Sequence, residues 1–382
     1  MRYYRDTYLE INLDNVIHNI THIMAKTKDM TLMAVIKADS YGHGAFMIAK
    51  TLLEAGVSHF AVATVDEGIE LRRARIKCPI LVLGGVRVED LRIVSKYNLT
   101  ISVHSLDWLK KAMVAYQGKI ISIHLKIDTG MGRLGLTTKE ELDEAIQLLH
   151  SHKHFYFEGI FSHLATSEES DETYYQMQLH RFESMLNGLD LINKYVHIAN
   201  SAGSLKTPPK YVNAIRVGLM INGQKPSKDI PFDFELKQSM SLYSKLVQVK
   251  VVPKGEKLSY NGIYETQDIE EYIGTIPIGY ADGYDRRLEN GRVYIDGEYC
   301  KIVGRICMDY CLVKLPRLLP EGTMVELIGE HISIDEYAEK IKTNNYQATC
   351  IFSDRLPRVY KRNGQIIKTI NRRLLARIGG VK

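Results

Sequence analysis

Apolar runs recur along the first two thirds of the chain at a spacing that sets its architecture. Eight short runs stand out: TLMAVIK (31–37), HFAVAT (59–64), PILVLGG (79–85), LTISVHS (99–105), KIISIHLKID (119–128), FYFEGIFSH (155–163), YVHIAN (195–200) and NAIRVG (213–218). Most spacers between them have helix length and periodicity, for example VDEGIELRRARI and TYYQMQLHRFESMLNGLDLI. Alternating strand and helix patterns predict a parallel sheet with helices outside. Eight such units predict a closed (β/α)8 TIM-type barrel, with an open doubly wound sheet as the alternative.

After about residue 230 the texture changes. Lys225-Pro226-Ser227 and Ile230-Pro231 read as a linker, and SLYSKLVQVKVV, EEYIGTIPIGY, GRVYIDGEYCKIVG, ICMDYCLVKL and TMVELIG follow as β-rich runs separated by Gly, Pro and Asp turns. The expected organisation is an α/β barrel over 1–232 followed by a smaller all-β domain over 233–382. A chain of 382 residues is long for one core and suits two domains.

Composition narrows the function classes. The net charge of +5 is spread along the chain without a block of Lys and Arg, which argues against nucleic-acid binding. No apolar run is long enough to cross a membrane, and MRYYRDTYLEINLD lacks the apolar core of a signal peptide. The expected location is the cytoplasm, either for this chain alone or as the cytoplasmic part of a longer membrane-anchored protein. Five cysteines without a Cys-x-x-Cys suggest free thiols. His150, His152 and His154 have the density of a metal clip, but they read better as a solvated helix-to-strand connection, and no metal is expected.

Barrels carry their chemistry at the C-terminal ends of their strands. Lys37 closes the first run, before the small, polar loop Ala38–Gly44. A lysine there is partly desolvated, which lowers its pKa and makes it a Schiff-base nucleophile. Taken alone, a solvated strand-end lysine is the commoner case. Its company changes that balance, because Arg133, Ser162-His163, Asn200-Ser201-Ala202-Gly203-Ser204 and Arg216-Val217-Gly218-Leu219 fall on the same face. The two small-residue loops can offer backbone N–H groups to a phosphate. His163 alone would read as a core histidine and Ser201 as a helix N-cap. Together with Lys37 they suggest pyridoxal phosphate.

One motif points elsewhere. Gly130-Met131-Gly132-Arg133-Leu134-Gly135 matches the G-x-G-x-x-G dinucleotide fingerprint, follows a strand, and is followed by a helix with Thr137 or Thr138 as N-cap. Glu158 supplies an acid about 20 residues on, as the fingerprint asks. Against it, the motif lies in the fifth unit, and Arg133 fills the turn where a pyrophosphate should approach. The preferred reading is a glycine loop displaying one arginine, with a NAD-dependent oxidoreductase as the alternative.

At these residues the chain resembles the alanine racemase family of barrel-type pyridoxal-phosphate enzymes. The resemblance runs from about Arg5 to Arg358 through AVIKADSYGHG, LKIDTGMGRLG, HLATS, ANSAG, SYNGIY, IPIGYADGY and GRICMD. It implies interconversion of L- and D-alanine for peptidoglycan precursors, by a homodimer in which the β domain of one subunit completes the barrel site of the other. It also implies that Lys37 carries the cofactor and is the base on one face of the substrate, with Tyr260 the base on the other. By the same resemblance Arg216 bonds the pyridine nitrogen. Tyr41, Ser201, Gly218 and Leu219 hold the phosphate with Tyr280 nearby, and His163 and Asn200 belong to the cofactor site. Arg133 touches the cofactor phenolate oxygen and the substrate carboxylate, Met308 and Asp309 contact substrate, and Lys126 matches a position often carbamylated, where it would orient Arg133.

Physical logic supports these roles. Two bases on opposite faces move a Cα proton without rotating the intermediate. A phenol titrates at about 10 in water, so a tyrosine base needs positive neighbours such as an Arg216–His163 chain. An arginine at the pyridine nitrogen donates and does not protonate the ring, which weakens the electron sink.

The family typically reads Ser-Tyr-Arg-x-Pro-Arg near its C-terminus, where this chain reads Ser353-Asp354-Arg355-Leu356-Pro357-Arg358. Replacing the tyrosine that roofs the substrate methyl group by Asp354 opens space and adds an acceptor, which predicts activity on L- and D-serine as well. A similar loss is a feature of the membrane-anchored serine racemases of vancomycin-resistance clusters. RVGLMINGQKPS also departs from the family pattern, although Gly218 and Leu219 still match. A non-catalytic pyridoxal-phosphate carrier and a decarboxylase of the same architecture are further alternatives.

Overall fold

The structure is a computed structural model that describes residues 3–227, 230 and 232–375. Pro231 of the expected linker and the chain beyond 375 lie outside the described residues. The chain divides into two compact units. One comprises Val16–Ser40 and Ala45–Lys237; the other gathers the residues up to Asn15, Tyr41–Gly44 and the chain from Gln238 onward.

The first strand, β1 (Tyr8–Asn12), explains why the N-terminus departs from the expected 1–232 division. YLEIN alternates buried and half-buried positions, the pattern of a strand with one covered face rather than of a barrel strand. It pairs antiparallel with Met240–Lys245 and parallel with Arg358–Arg362, so it belongs to the second unit.

The eight apolar runs of the sequence are the eight strands of a closed parallel barrel: β2 (Thr31–Val35), β3 (His59–Val62), β4 (Ile80–Val82), β5 (Thr100–Val103), β6 (Ile121–Lys126), β7 (Phe155–Phe161), β8 (Tyr195–His197) and β9 (Ala214–Val217). Closure is made by β9 against β2, with Met33 opposite Arg216. Met33, Val35, Ala61, Leu81 and Ala214 form a packed layer inside, joined by Leu83 and Tyr195. The helix Val65–Arg73 is fixed at its start by a capping box between Thr64 and Glu67, and Lys139–Ser151 by one between Thr138 and Glu141. Thr138, not Thr137, is that N-cap.

The second unit is built on a ten-stranded sheet. It contains β1, the central strands Met240–Lys245 and Met324–Ile328, and an edge strand Gln248–Pro253 that carries lysine and proline on an exposed rim. A separate two-stranded ribbon, Lys257–Leu258 with Tyr264–Glu265, displays Tyr260.

Candidate active site

β2 ends at Val35, and the next turn is unusual. Ala38, Asp39, Ser40 and Tyr41 take φ of 50°, 56°, 52° and 54°, one left-handed turn made without glycine. Each such residue costs roughly 1–2 kcal/mol, so neighbours must impose the shape. Ala38 N–H donates to Glu67 Oε1 at 2.8 Å, and Ala45 N–H donates to Asp39 Oδ1 at 2.8 Å. Glu67 Oε2 also accepts from Ala63 N–H at 2.7 Å, tying the turn to the end of β3. Lys37, at the start of the turn, is half-buried.

Arg216, on β9, is fully enclosed. Its Nη1 donates to His197 Nδ1 at 2.6 Å; its Nη2 donates to Ser162 O at 2.8 Å and lies 3.2 Å from His163 Nδ1. A guanidinium has only donors, so both Nδ1 atoms accept and each ring carries its hydrogen on Nε2. His197 Nε2–H then donates to His124 Nδ1 at 2.8 Å, and His124 Nε2–H donates to Glu158 Oε2 at 3.3 Å. Thr100 donates to the same oxygen at 3.0 Å. A donor-only group at one end and a carboxylate at the other fix every tautomer between. Burial pushes His124 and His197 below the ordinary imidazole value. Burial, followed by the Arg216 charge, takes His163 down to about 2. All three rings are neutral. Burial lowers Arg216 to about 9, which leaves it a cation at neutral pH.

Glu158 is therefore not the ribose-binding acid that the fingerprint would require. The glycine loop is accounted for as well. Asp128 accepts from the N–H groups of Gly130, Gly132 and Arg133 at 2.9, 3.0 and 2.9 Å. The amides that would cradle a pyrophosphate are committed to a carboxylate, and Arg133 is displayed with its side chain exposed.

Lys126 ends β6, buried, with Nζ 5.1 Å from the Phe161 ring centre. Burial, then Arg216 and Arg133, with Lys37 adding to them, lowers it to about 8. Lys37, Lys126, Arg133 and Arg216 thus share one field at the strand ends, opposed by an Asp128 that is turned to the loop amides.

The loops after β8 and β9 are joined where Ser201 Oγ accepts from Gly218 N–H at 3.0 Å. Asn200 Oδ1 accepts from Gly203 N–H at 2.9 Å, and the short turn Gly203–Leu205 starts after Ala202, so Ser201 is not its N-cap. Leu219 opens the turn Leu219–Asn222 directly after Gly218. Cations, a serine hydroxyl, small-residue loops and one half-buried lysine form a donor set that fits pyridoxal phosphate, a dianion with an acceptor ring nitrogen and an aldehyde.

The remaining expected residues lie in the second unit. Beside Tyr41, Gly42 O accepts from Arg358 Nε at 2.8 Å and His43 O accepts from Tyr360 Oη at 3.1 Å. A Cβ on Gly44 (φ 98°) would sit 1.8 Å from Tyr360 Oη, so glycine is required there. Tyr260 is 68% exposed. Tyr280 N–H donates to Cys307 O and Ala281 N–H to Met308 O, both at 3.1 Å, which fixes Tyr280 beside Met308. Asp309 is bound by Arg355 at 2.6 Å. Asp354 is half-exposed, with Oδ1 3.4 Å from Arg372 and 3.8 Å from Arg358.

Sequence reasoning missed Glu67, Asp128, His124 and His197, as well as Gln178, which is buried and donates to His163 O at 3.0 Å. The signal for two of them was a histidine inside an apolar run, as in ISIHLK and YVHIAN. Among the described residues no group of three or more His, Cys, Asp or Glu could hold a metal ion. His154 bonds Gly118 O, and His152 Nε2 lies 3.3 Å from Met113 O.

A closed barrel presenting a lysine-bearing turn, buried cations and a hydroxyl-and-amide loop pair, together with a β-sheet unit, defines the class of barrel-type pyridoxal-phosphate enzymes. The family model for the alanine racemase N-terminal domain matches residues 11–226, and that for the C-terminal domain matches 239–360. The chain belongs to the alanine racemase family. Alanine racemase of Halalkalibacterium halodurans is 44% identical over 383 residues, covering 97% of this chain and 98% of its own. Alanine racemase of Geobacillus stearothermophilus is 44% identical over 377 residues, covering 97% of each. A crystal structure of alanine racemase from Bacillus anthracis with bound L-Ala-P superposes with a TM-score of 0.92 at 38% identity, covering 97% of this chain and 99% of that one. Histidine racemase from Leuconostoc mesenteroides superposes with a TM-score of 0.88 at 28% identity, covering 94% and 99%.

Proposed function

We propose that this chain is a pyridoxal-phosphate-dependent racemase that interconverts L- and D-alanine in a homodimer. The observation that carries the reading is the gathering of Lys37, Lys126, Arg133 and Arg216 in one field at the barrel strand ends. Such a field favours anions: a phosphate, a phenolate and an amino-acid carboxylate.

Lys37 would hold the cofactor through its amine, and Ser201, Gly218 and Leu219 would hold the phosphate. Arg216 would donate to the pyridine nitrogen. When bound, pyridoxal phosphate supplies the electron sink that acidifies the substrate Cα–H. Arg133 binds the substrate carboxylate. Lys37 Nζ moves the Cα proton on one face, and the partner subunit's Tyr260 moves it on the other. His163 is neutral, accepts from Arg216 and keeps its hydrogen on Nε2. It can donate that hydrogen to the phenolate oxygen and stabilise the deprotonated tyrosine. Exposed Tyr260, Ile263, Tyr280, Met308 and Tyr310 on the second unit support a subunit interface there.

A second reading, that serine is also a substrate, is favoured by Asp354. The histidine racemase neighbour shares this fold, so the fold alone does not fix the substrate side chain. A chiral product assay tests both readings. Protein saturated with pyridoxal phosphate is given L-alanine or L-serine, and the D-enantiomer is measured. D-alanine formation that disappears in Lys37→Ala and Tyr260→Phe supports the racemase. Normal cofactor binding without D-alanine would favour a carrier. D-serine formation that falls in Asp354→Tyr while D-alanine formation persists supports the serine reading, and D-alanine alone would remove it.

A further inference from the structure

The turn that displays Tyr260 is held in a backbone shape that serine rarely adopts. Ser259 has φ 67° and ψ −178°, a region essentially reserved for glycine. Asn261 and Gly262 also have positive φ, at 61° and 56°. Such a conformation persists only where its surroundings impose it. Here the Ser259 hydroxyl makes two bonds to one residue. Oγ accepts from Arg305 N–H at 2.9 Å and donates to Arg305 O at 3.1 Å. The neighbouring backbone fits against it so closely that a Cβ on Gly304 (φ 70°) would lie 2.5 Å from Ser259 Cβ.

The same segment leads to Met308, and Tyr280 and Ala281 donate to Cys307 O and Met308 O. Ser259 therefore couples the Tyr260 turn to the segment that presents Tyr280 and Met308. The base of the ribbon is anchored separately: Tyr264 Oη donates to Glu271 at 2.6 Å. An exposed phenol on a five-residue loop would otherwise sample many directions.

We propose that Ser259 is a positioning residue for Tyr260: its clamp on Arg305 holds a strained backbone that sets the direction of the phenol. The proposal rests on the reading of Tyr260 as one of two bases. It explains why a strained serine stands where glycine would be relaxed. Glycine would allow the shape without enforcing it, whereas the serine hydroxyl enforces it.

The test uses the cofactor-loaded enzyme and its Ser259→Ala, Ser259→Gly and Tyr260→Phe variants. Three quantities are measured: the thermal midpoint, the racemisation rate for alanine, and exchange of the Cα hydrogen for solvent deuterium without inversion. Ser259→Ala keeps the strain and loses the clamp, while Ser259→Gly loses both, so the glycine variant is expected to melt a few degrees above the alanine variant. Both variants are expected to lose about 10- to 100-fold in racemisation, the scale of a small misplacement of a reacting group. Exchange on the face served by Lys37 is expected to stay within about twofold of wild type, because that base is untouched. Exchange falling in step with racemisation would mean general damage and would overturn the proposal. So would wild-type racemisation in both variants, or a glycine variant less stable than the alanine one. If Tyr260→Phe racemises normally, the two-base reading fails and the proposal falls with it. If Tyr260→Phe is inactive while Ser259→Ala is normal, only the proposal fails.

Discussion

Lys126 shows how one side chain can carry a testable chemical state. A buried lysine among cations relieves the cluster by losing its proton or by acquiring a negative group. Burial and the neighbouring arginines bring it down from 10.5 to about 8. Its neutral amine, the form that can take up carbon dioxide, therefore becomes abundant as pH rises through about 8. In 13C-bicarbonate the wild type is expected to show a carbamate resonance that grows from about pH 7 to 9 and is absent in Lys126→Ala. Removing bicarbonate is expected to raise KM for alanine, because Arg133 loses a negative neighbour. A resonance that does not respond to pH, or one retained in Lys126→Ala, would contradict this account. The sign for stability follows from the same shift. The unfolded chain binds the proton between about 8 and 10.5 while the folded chain does not, so the Lys126 contribution makes stability rise with pH across that window.

Among the elements, strands β6 to β9 carry the polar chain that ends at Glu158. Replacing Glu158 by Leu leaves the buried His124 Nε2–H without its acceptor, which costs about 1–3 kcal/mol. Arg216 still fixes both tautomers from the other end, because its guanidinium has only donors and lies 2.6 Å from His197 Nδ1. The expected outcome is a stability loss of that size in denaturant, with 15N spectra of labelled histidine showing His197 Nδ1 still bare. Unchanged stability, or a hydrogen on His197 Nδ1, would contradict the directional chain. Glu271 gives a second prediction at this scale. Burial raises it, but bonds from Tyr264, Gln267 and Lys314 outweigh that and hold it at about 2 against an ordinary 4.5. Its anchoring of the Tyr260 ribbon is complete above about 4.5 and is lost as pH falls toward 2. Glu271→Gln should remove that acid-side loss, as read from thermal midpoints at stepped pH.

The elements also show what was legible in the sequence. Barrel strands are covered mostly on both faces, so they read as short runs that are largely apolar, and all eight could be placed. β1 did not stand out because YLEIN is covered on one face and finds its partners more than two hundred residues away. Lys37, Arg133 and Arg216 could be placed because a strand end is visible in sequence. The left-handed turn after Lys37 could not be foreseen, since Ala38, Asp39, Ser40 and Tyr41 carry no sign of positive φ and the shape is imposed by Glu67 and Asp39. The Gly130–Gly135 loop looked like a dinucleotide site because pattern matching cannot show that Asp128 already holds its amides.

For the whole molecule, the proposed two-base site needs two chains. Lys37 belongs to one compact unit and Tyr260 to the other, and the proposed chemistry joins the Lys37 of one subunit to the Tyr260 of its partner. Racemisation per subunit should then fall on dilution, in step with dimer dissociation measured by sedimentation. The most direct test mixes two inactive variants. Lys37→Ala and Tyr260→Phe are purified separately, dissociated, combined in equal amounts and reassociated. A mixed dimer has one site with both bases and one with neither, so about a quarter of all sites should recover, given random pairing into closed twofold dimers. Recovery of D-alanine formation to about that level is the predicted result. No recovery in a mixture shown to contain mixed dimers, or substantial activity in either variant alone, would contradict the shared two-base site.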